Sequence, residues 1–174
     1  MKRATAVSTL AIVSTAVVSI GILIGIVGAA LFGAPAGAAS KPESCALLRV
    51  NEIATALSQP TTKAKASSVP GVCDWPLNST ATRPTGSLHT LVLRGSTAKA
   101  SYKLASQFHV DDRETLTDLG KKAFYAPSLG TVWILEDDST VFYVQGVYAT
   151  GAEVDAASLR EALVGLAIRA EARL

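Results

Sequence analysis

The first forty residues carry almost no charge: after Lys2 and Arg3, no acidic or basic side chain occurs from Ala4 to Ser40. The whole chain of 174 residues has two histidines, two cysteines and 6% aromatic residues. Each scarcity excludes something. A zinc site takes about four ligands at characteristic spacing. His89 and His109 stand far from Cys45 and Cys73 with no such motif, so no metal site is predicted. A general base needs a nucleophile in reach. Each histidine is alone in its sequence neighbourhood, and no Gly-x-Ser-x-Gly elbow occurs, so neither a catalytic residue nor a cofactor is predicted. The runs Asp111-Asp112-Arg113-Glu114 and Glu136-Asp137-Asp138 lack the alternating ligands and central glycine of a calcium loop. They read as solvated turns. Asn78-Ser79-Thr80 is a glycosylation sequon, meaningful only in a eukaryotic secretory host. A basic stripe is missing too. Of 16 Lys+Arg, 14 lie after residue 40, together with all 14 Asp+Glu. That part of the chain is electrically balanced, whereas a nucleic-acid surface needs a positive patch that displaces counterions.

The uncharged segment is the most distinctive feature present. Val13, Val17, Val18, Ile20, Ile22, Leu23, Ile24, Ile26, Val27, Leu31 and Phe32 crowd a run longer than the roughly 20 apolar residues a bilayer core requires. Lys2 and Arg3 on the short flank favour a cytoplasmic N-terminus. Gly21, Gly25, Gly28 and Gly33 would weaken a soluble helix and are tolerated in a membrane one. Gly21 and Gly25 have GxxxG spacing, which lets helices approach closely but is weak evidence alone. The run therefore predicts a membrane anchor over residues 1–34, followed by an Ala/Gly/Pro-rich linker over 35–42. The Ala34-Pro35-Ala36-Gly37-Ala38-Ala39-Ser40 stretch also offers small-x-small cleavage sites, the signature of a removed signal peptide. Either alternative places 43–174 outside the cytoplasm.

In an exported domain, an even pair of cysteines reads as a disulfide. Cys45 and Cys73 are expected to pair, closing a loop that includes the polar stretch 61–68. Lipidation of Cys45 is disfavoured because Glu43 sits where a lipobox has an apolar or small residue. Residues 44–58 have Ala46, Val50, Ile53 and Leu57 at helical spacing, with Ser44 as a cap and Pro60 as a stop. Strands are predicted over 71–77 and 87–94, and a helix over 97–109 capped by Ser96. Three more strands follow, over 119–125, 131–135 and 140–145, the last two joined by a polar hairpin turn. A closing helix over 155–174 puts Leu159, Leu163, Leu166 and Ala170 on one face. The order α-ββ-α-βββ-α predicts an α+β domain of two layers, with an antiparallel sheet covered by helices on one face.

Cys45-Ala46-Leu47-Leu48, then Gly71-Val72-Cys73-Asp74-Trp75, then Leu119-Gly120 leading to Ala123-Phe124-Tyr125, carry a resemblance. Over residues 43–172 the chain resembles a family of small exported actinobacterial proteins, many of them lipoproteins, of unknown function. A Cys-x-Leu-Leu helix start and a Gly-x-Cys-x-Trp strand recur there. The resemblance implies paired cysteines and a cell-envelope location, and it brings no catalytic residues. The chain departs from it in having no lipobox, with the long apolar segment as the substitute.

Trp75, Trp133, Phe142 and Tyr143 fall in predicted strands, where successive side chains alternate between faces. One set must be core. Trp75, Trp133 and Tyr143 are the candidate binding surface if a sheet face is left open. The function expected is a non-catalytic binding or accessory module of the cell envelope, held at the membrane in a single pass. Its partner would be another envelope protein or a lipid or glycan ligand. The alternatives are an envelope hydrolase, for which His89 or His109 must meet a hydroxyl and an acid in a cleft, or a secreted soluble binding domain released by signal cleavage.

Overall fold

A computed structural model describes residues 42–149 and 151–174. The predicted anchor and nearly all of the linker lie outside them. Among the described residues, no helix is long and apolar enough to cross a membrane.

The domain is α+β, built on one antiparallel sheet of seven strands. In chain order these are β1 (Lys65–Ala66), β2 (Val72–Leu77), β3 (Gly86–Arg94), β4 (Glu114–Leu116), β5 (Lys122–Ala126), β6 (Thr131–Leu135) and β7 (Thr140–Tyr148). Across the sheet they run β1-β2-β3-β7-β6-β5-β4. The helices are α1 (Val50–Leu57), α2 (Ser96–Phe108) and α3 (Ala156–Glu171). The five predicted strands are all present. The two that sequence reading missed, β1 and β4, are the sheet edges, of two and three mostly exposed residues. So short a segment has no readable period, and only pairing with a longer neighbour makes it a strand. Short edge strands also limit unwanted pairing with other chains.

The single helix expected over 44–58 is two elements. A 3-10 turn covers Glu43–Ala46, the chain then extends at Arg49 (φ −115°, ψ 151°), and α1 begins at Val50. Tertiary contacts break it. The Ser44 hydroxyl donates to the Gly71 carbonyl at 2.7 Å, and Thr90 Oγ1 donates to the Ser44 carbonyl at 2.9 Å. Cys45 is bonded to Cys73 on β2, with Cα atoms 5.0 Å apart. Leu47 and Leu48, in the link between the two elements, are both buried. The cap expected at Ser96 is also different: Ser96 is the first helical residue and Gly95 precedes it at φ 87°.

Register shows where the core sits. The side chains of Leu88, Phe142, Val144, Ile134, Val132, Ala123 and Tyr125 point to one face. There they pack with Leu159, Leu163, Leu166 and Ala170 of α3 and Ile53 and Leu57 of α1. α2 lies on the opposite face, where Ala98 packs with Leu135 and Val141 and Tyr102 meets the Phe124 ring edge-on at 5.4 Å. The expectation that helices cover one face is therefore corrected. α1, α3 and the 3-10 turn at Glu43–Ala46 cover one face, and a single helix crosses part of the other. The physical reason is parity: Val141 and Phe142 are adjacent, both fully buried, and must be covered from opposite sides.

Candidate binding face

Antiparallel pairing aligns side chains in rows across the face that carries α2. One row is Phe124, Trp133, Tyr143, Leu91 and Val72; the next is Thr131, Gln145, His89, Asp74 and Lys65. α2 crosses this face over β7, β6 and part of β3 and reaches Phe124 of β5 through Tyr102, leaving Tyr143, Leu91, Gln145, His89 and Asp74 only partly buried and Val147 exposed. Trp133 and Tyr143 stack at a tilt with ring centroids 5.0 Å apart, and the indole N–H of Trp133 is buried without an acceptor. The Tyr143 hydroxyl has its pKa pushed up, first by burial and then by the nearby charge of Asp74.

α2 supplies an apolar rim. At about 3.6 residues per turn, Leu104 and Phe108 share a stripe roughly opposite Ser106. Ser106 faces a hollow over β4 and β5, which puts Leu104 and Phe108 on the flank toward β7 and β3. They are 55% and 76% exposed. An exposed pair of large apolar side chains beside a half-exposed aromatic row is the kind of surface that marks interaction sites. Nothing in the sequence period separated Phe108 from a core residue. Its exposure follows from the narrow line along which α2 meets the sheet.

Of the predicted surface residues, Trp133 and Tyr143 lie on this face and Trp75 does not. Trp75 is 2% exposed and belongs to the core beneath α1 and α3. The odd-numbered residues of β2 face that core, and Asp74 and Pro76 face the open side.

His89 has companions the sequence did not reveal. Its Nε2 lies 2.7 Å from Asp74 Oδ1, the cross-strand partner, and 3.0 Å from Ser87 Oγ, two residues away on the same strand. This is not the geometry of a serine–histidine–acid relay, in which the acid holds Nδ1 and leaves Nε2 to take the serine proton. Here both groups converge on one nitrogen. Asp74 Oδ1 is buried with no hydrogen aligned on it. His109 serves the structure: its Nδ1 is 3.5 Å from Asp112, and Asp112 accepts the Ser128 N–H at 3.0 Å, tying the end of α2 to the β5–β6 connection.

Three of the other acidic candidates are engaged in the same way. Glu114 pairs with Arg160, Asp138 with Lys99 and Lys121, and Asp137 accepts from Ser139 in the β6–β7 turn. Among the described residues, no three His, Cys, Asp or Glu side chains converge as metal ligands would. The disulfide between Cys45 and Cys73 is present as expected. Comparison with protein-family models, curated proteins and solved structures found no match to this chain.

Proposed function

We propose that this protein is a membrane-tethered, extracytoplasmic binding module of the cell envelope that works through the open half of its sheet and the adjoining flank of α2, without catalysis. The observation that carries the reading is the asymmetry of the two faces. One is sealed by α1 and α3, while the other leaves Trp133, Tyr143 and Leu91 half-covered beside Leu104 and Phe108. Supporting it are the long uncharged N-terminal run, the disulfide, which persists in oxidising compartments, and the resemblance to small exported actinobacterial proteins. The partner that fits is another envelope protein with an apolar, uncharged contact surface.

The test is a photo-crosslinking side chain at Val147 on the open face, with Arg169 on α3 as control, in full-length protein expressed in native membranes. A discrete adduct at Val147 and none at Arg169 is expected, with the intact mass retaining the N-terminal segment. Equal labelling at both positions sinks the reading. A mass beginning near Ser40 replaces the tether with secretion. The hydrolase alternative rests on His89 beside Ser87 and Asp74. The shared nitrogen counts against it, and a serine-directed phosphonate that labels Ser87 would revive it.

A further inference from the structure

A second concave site lies on the same face of the sheet, beyond the opposite flank of α2. It is a hollow of about 540 Å³ whose walls are α2, the edge strand β4, the turn 117–121 and β5. Its floor is aromatic: Phe124 is 2% exposed, and the half-buried Tyr102 meets it edge-on. Pairing of Leu116 with Ala123 and of Thr115 with Phe124 aligns Thr115, Thr117 and Lys122 on the side of that floor. Arg113 reaches in from the segment after α2, held by an Nη1 bond of 2.9 Å to the Ser106 carbonyl. Its charge is close enough to Tyr102 to oppose the upward push that burial gives that hydroxyl.

The charge around the hollow is lopsided. Arg113, Lys121 and Lys122 line it against one acid, Asp118. Lys121 is occupied by Asp138 at 2.8 Å. Arg113 and Lys122 have no carboxylate partner among the described residues. Arg94, Arg160 and Arg173, by contrast, are each forked on a glutamate. Two unneutralised cations and two threonine hydroxyls above an aromatic floor make a site for an anion attached to a flat or apolar group. A guanidinium and an ammonium bind phosphate oxygens through short charge-assisted hydrogen bonds.

We infer that this hollow binds a phosphate group carried on an apolar body, with Arg113 and Lys122 on the phosphate and Phe124 and Tyr102 under the apolar part. A lipid headgroup and a soluble phosphoester share that chemistry. The inference goes beyond the binding face proposed above and shares no residue with it.

Titration calorimetry on the full chain in a nonionic detergent would use three probes: inorganic phosphate, phenyl phosphate and a short-chain phosphatidate. Phenyl phosphate should bind more tightly than inorganic phosphate, because only it covers the accessible part of the Tyr102 ring, which Phe124 backs. Arg113→Gln and Lys122→Gln should each weaken it by about tenfold or more; Lys122→Gln should leave the thermal midpoint unchanged, as expected of an exposed side chain, while Arg113→Gln lowers it slightly through loss of the bond to the Ser106 carbonyl. Phosphatidate tighter than phenyl phosphate, with the same dependence on both cations, identifies a lipid headgroup; the reverse order identifies a soluble phosphoester. Absence of saturable binding by all three probes, or binding indifferent to both substitutions, overturns the inference. Neither of those results touches crosslinking at Val147, so the two readings fail separately.

Discussion

The two faces of this sheet solve different problems with the same strands. Beneath α1 and α3, Leu88, Phe142, Val144, Ile134 and Leu163 are fully buried, and buried apolar surface is the main source of stability. On the other side, Ala98 and Tyr102 of α2 pack on Leu135, Val141 and Phe124, leaving a half-open aromatic row on one flank and a basic hollow on the other. Alternation along β7 places Phe142 and Tyr143 one residue apart and in opposite roles. The difference shows that a single strand can bury one face while leaving side chains of the other within reach of solvent.

The sharpest way to break that comparison is a pair of neighbouring substitutions. Phe142→Ala removes a fully buried ring from the closed face and should cost about 3–5 kcal/mol in chemical denaturation. Tyr143→Ala should cost about 2 kcal/mol, from partial loss of ring burial and of the pairing with Trp133, and should abolish crosslinking at Val147. Comparable stability losses at both would mean the faces are equally structural.

The closed face is also held from its margin. The Cys45–Cys73 bond spans 28 residues, and loop-closure entropy gives about 3.5 kcal/mol for such a link. The Cys45→Ser/Cys73→Ser double variant should lose about that much in urea unfolding. A loss below about 1 kcal/mol would mean the hydrogen bonds of Ser44 hold that corner without the bridge.

A smaller effect is expected at Gln59, 1% exposed at the end of α1. Its amide donates to the Asn78 and Pro84 carbonyls at 2.8 and 2.7 Å and accepts from the Tyr148 hydroxyl at 3.2 Å. Gln59→Leu orphans three groups. It should destabilise by about 2–3 kcal/mol, and a lowered melting temperature checks it. The side chain is saturated because α1, the 78–84 loop and β7 meet there.

The smallest effect depends on pH. Glu136 has its pKa pushed up, chiefly by burial and then by neighbouring Glu171, and one of its oxygens is buried without a partner. A carboxyl whose folded pKa is above its unfolded one favours the neutral form in the fold. It costs nothing in acid, and it destabilises once the pH has risen through the folded pKa. Glu136→Gln should therefore raise the melting temperature at pH 7 and leave it unchanged near pH 4. Glu52 runs the other way. Its hydrogen bond to Arg173 lowers its pKa, so its contribution is present above the ordinary carboxylate range and lost as acid titrates it. A Glu136→Gln melting profile with no difference between the two pH values would show that neither burial nor Glu171 raises its pKa in the fold.

Some of this architecture was readable and some was not, for local and non-local reasons respectively. The strands β2, β3, β5, β6 and β7 and the helix α3 were legible because each has at least five residues and is bounded by turn signals. The cysteine pair was legible from composition alone. Trp133 and Tyr143 were candidates on alternation alone, which could not say which face would stay open. Trp75 obeyed the same alternation and fell on the closed side. Arg113, Lys122 and Thr117 gave no signal, since they are separated in sequence and become neighbours only when β4 pairs with β5.

By itself, then, the sequence determined the compositional split at residue 40, the antiparallel α+β class and the disulfide. All three depend on periodicity, composition or count within a short window. The tertiary structure alone decided the edge strands, the break before α1, the side on which α2 lies, and the convergence of Ser87 and Asp74 on His89. Each of these follows from strand register and helix placement, long-range pairings whose free energy no local window contains.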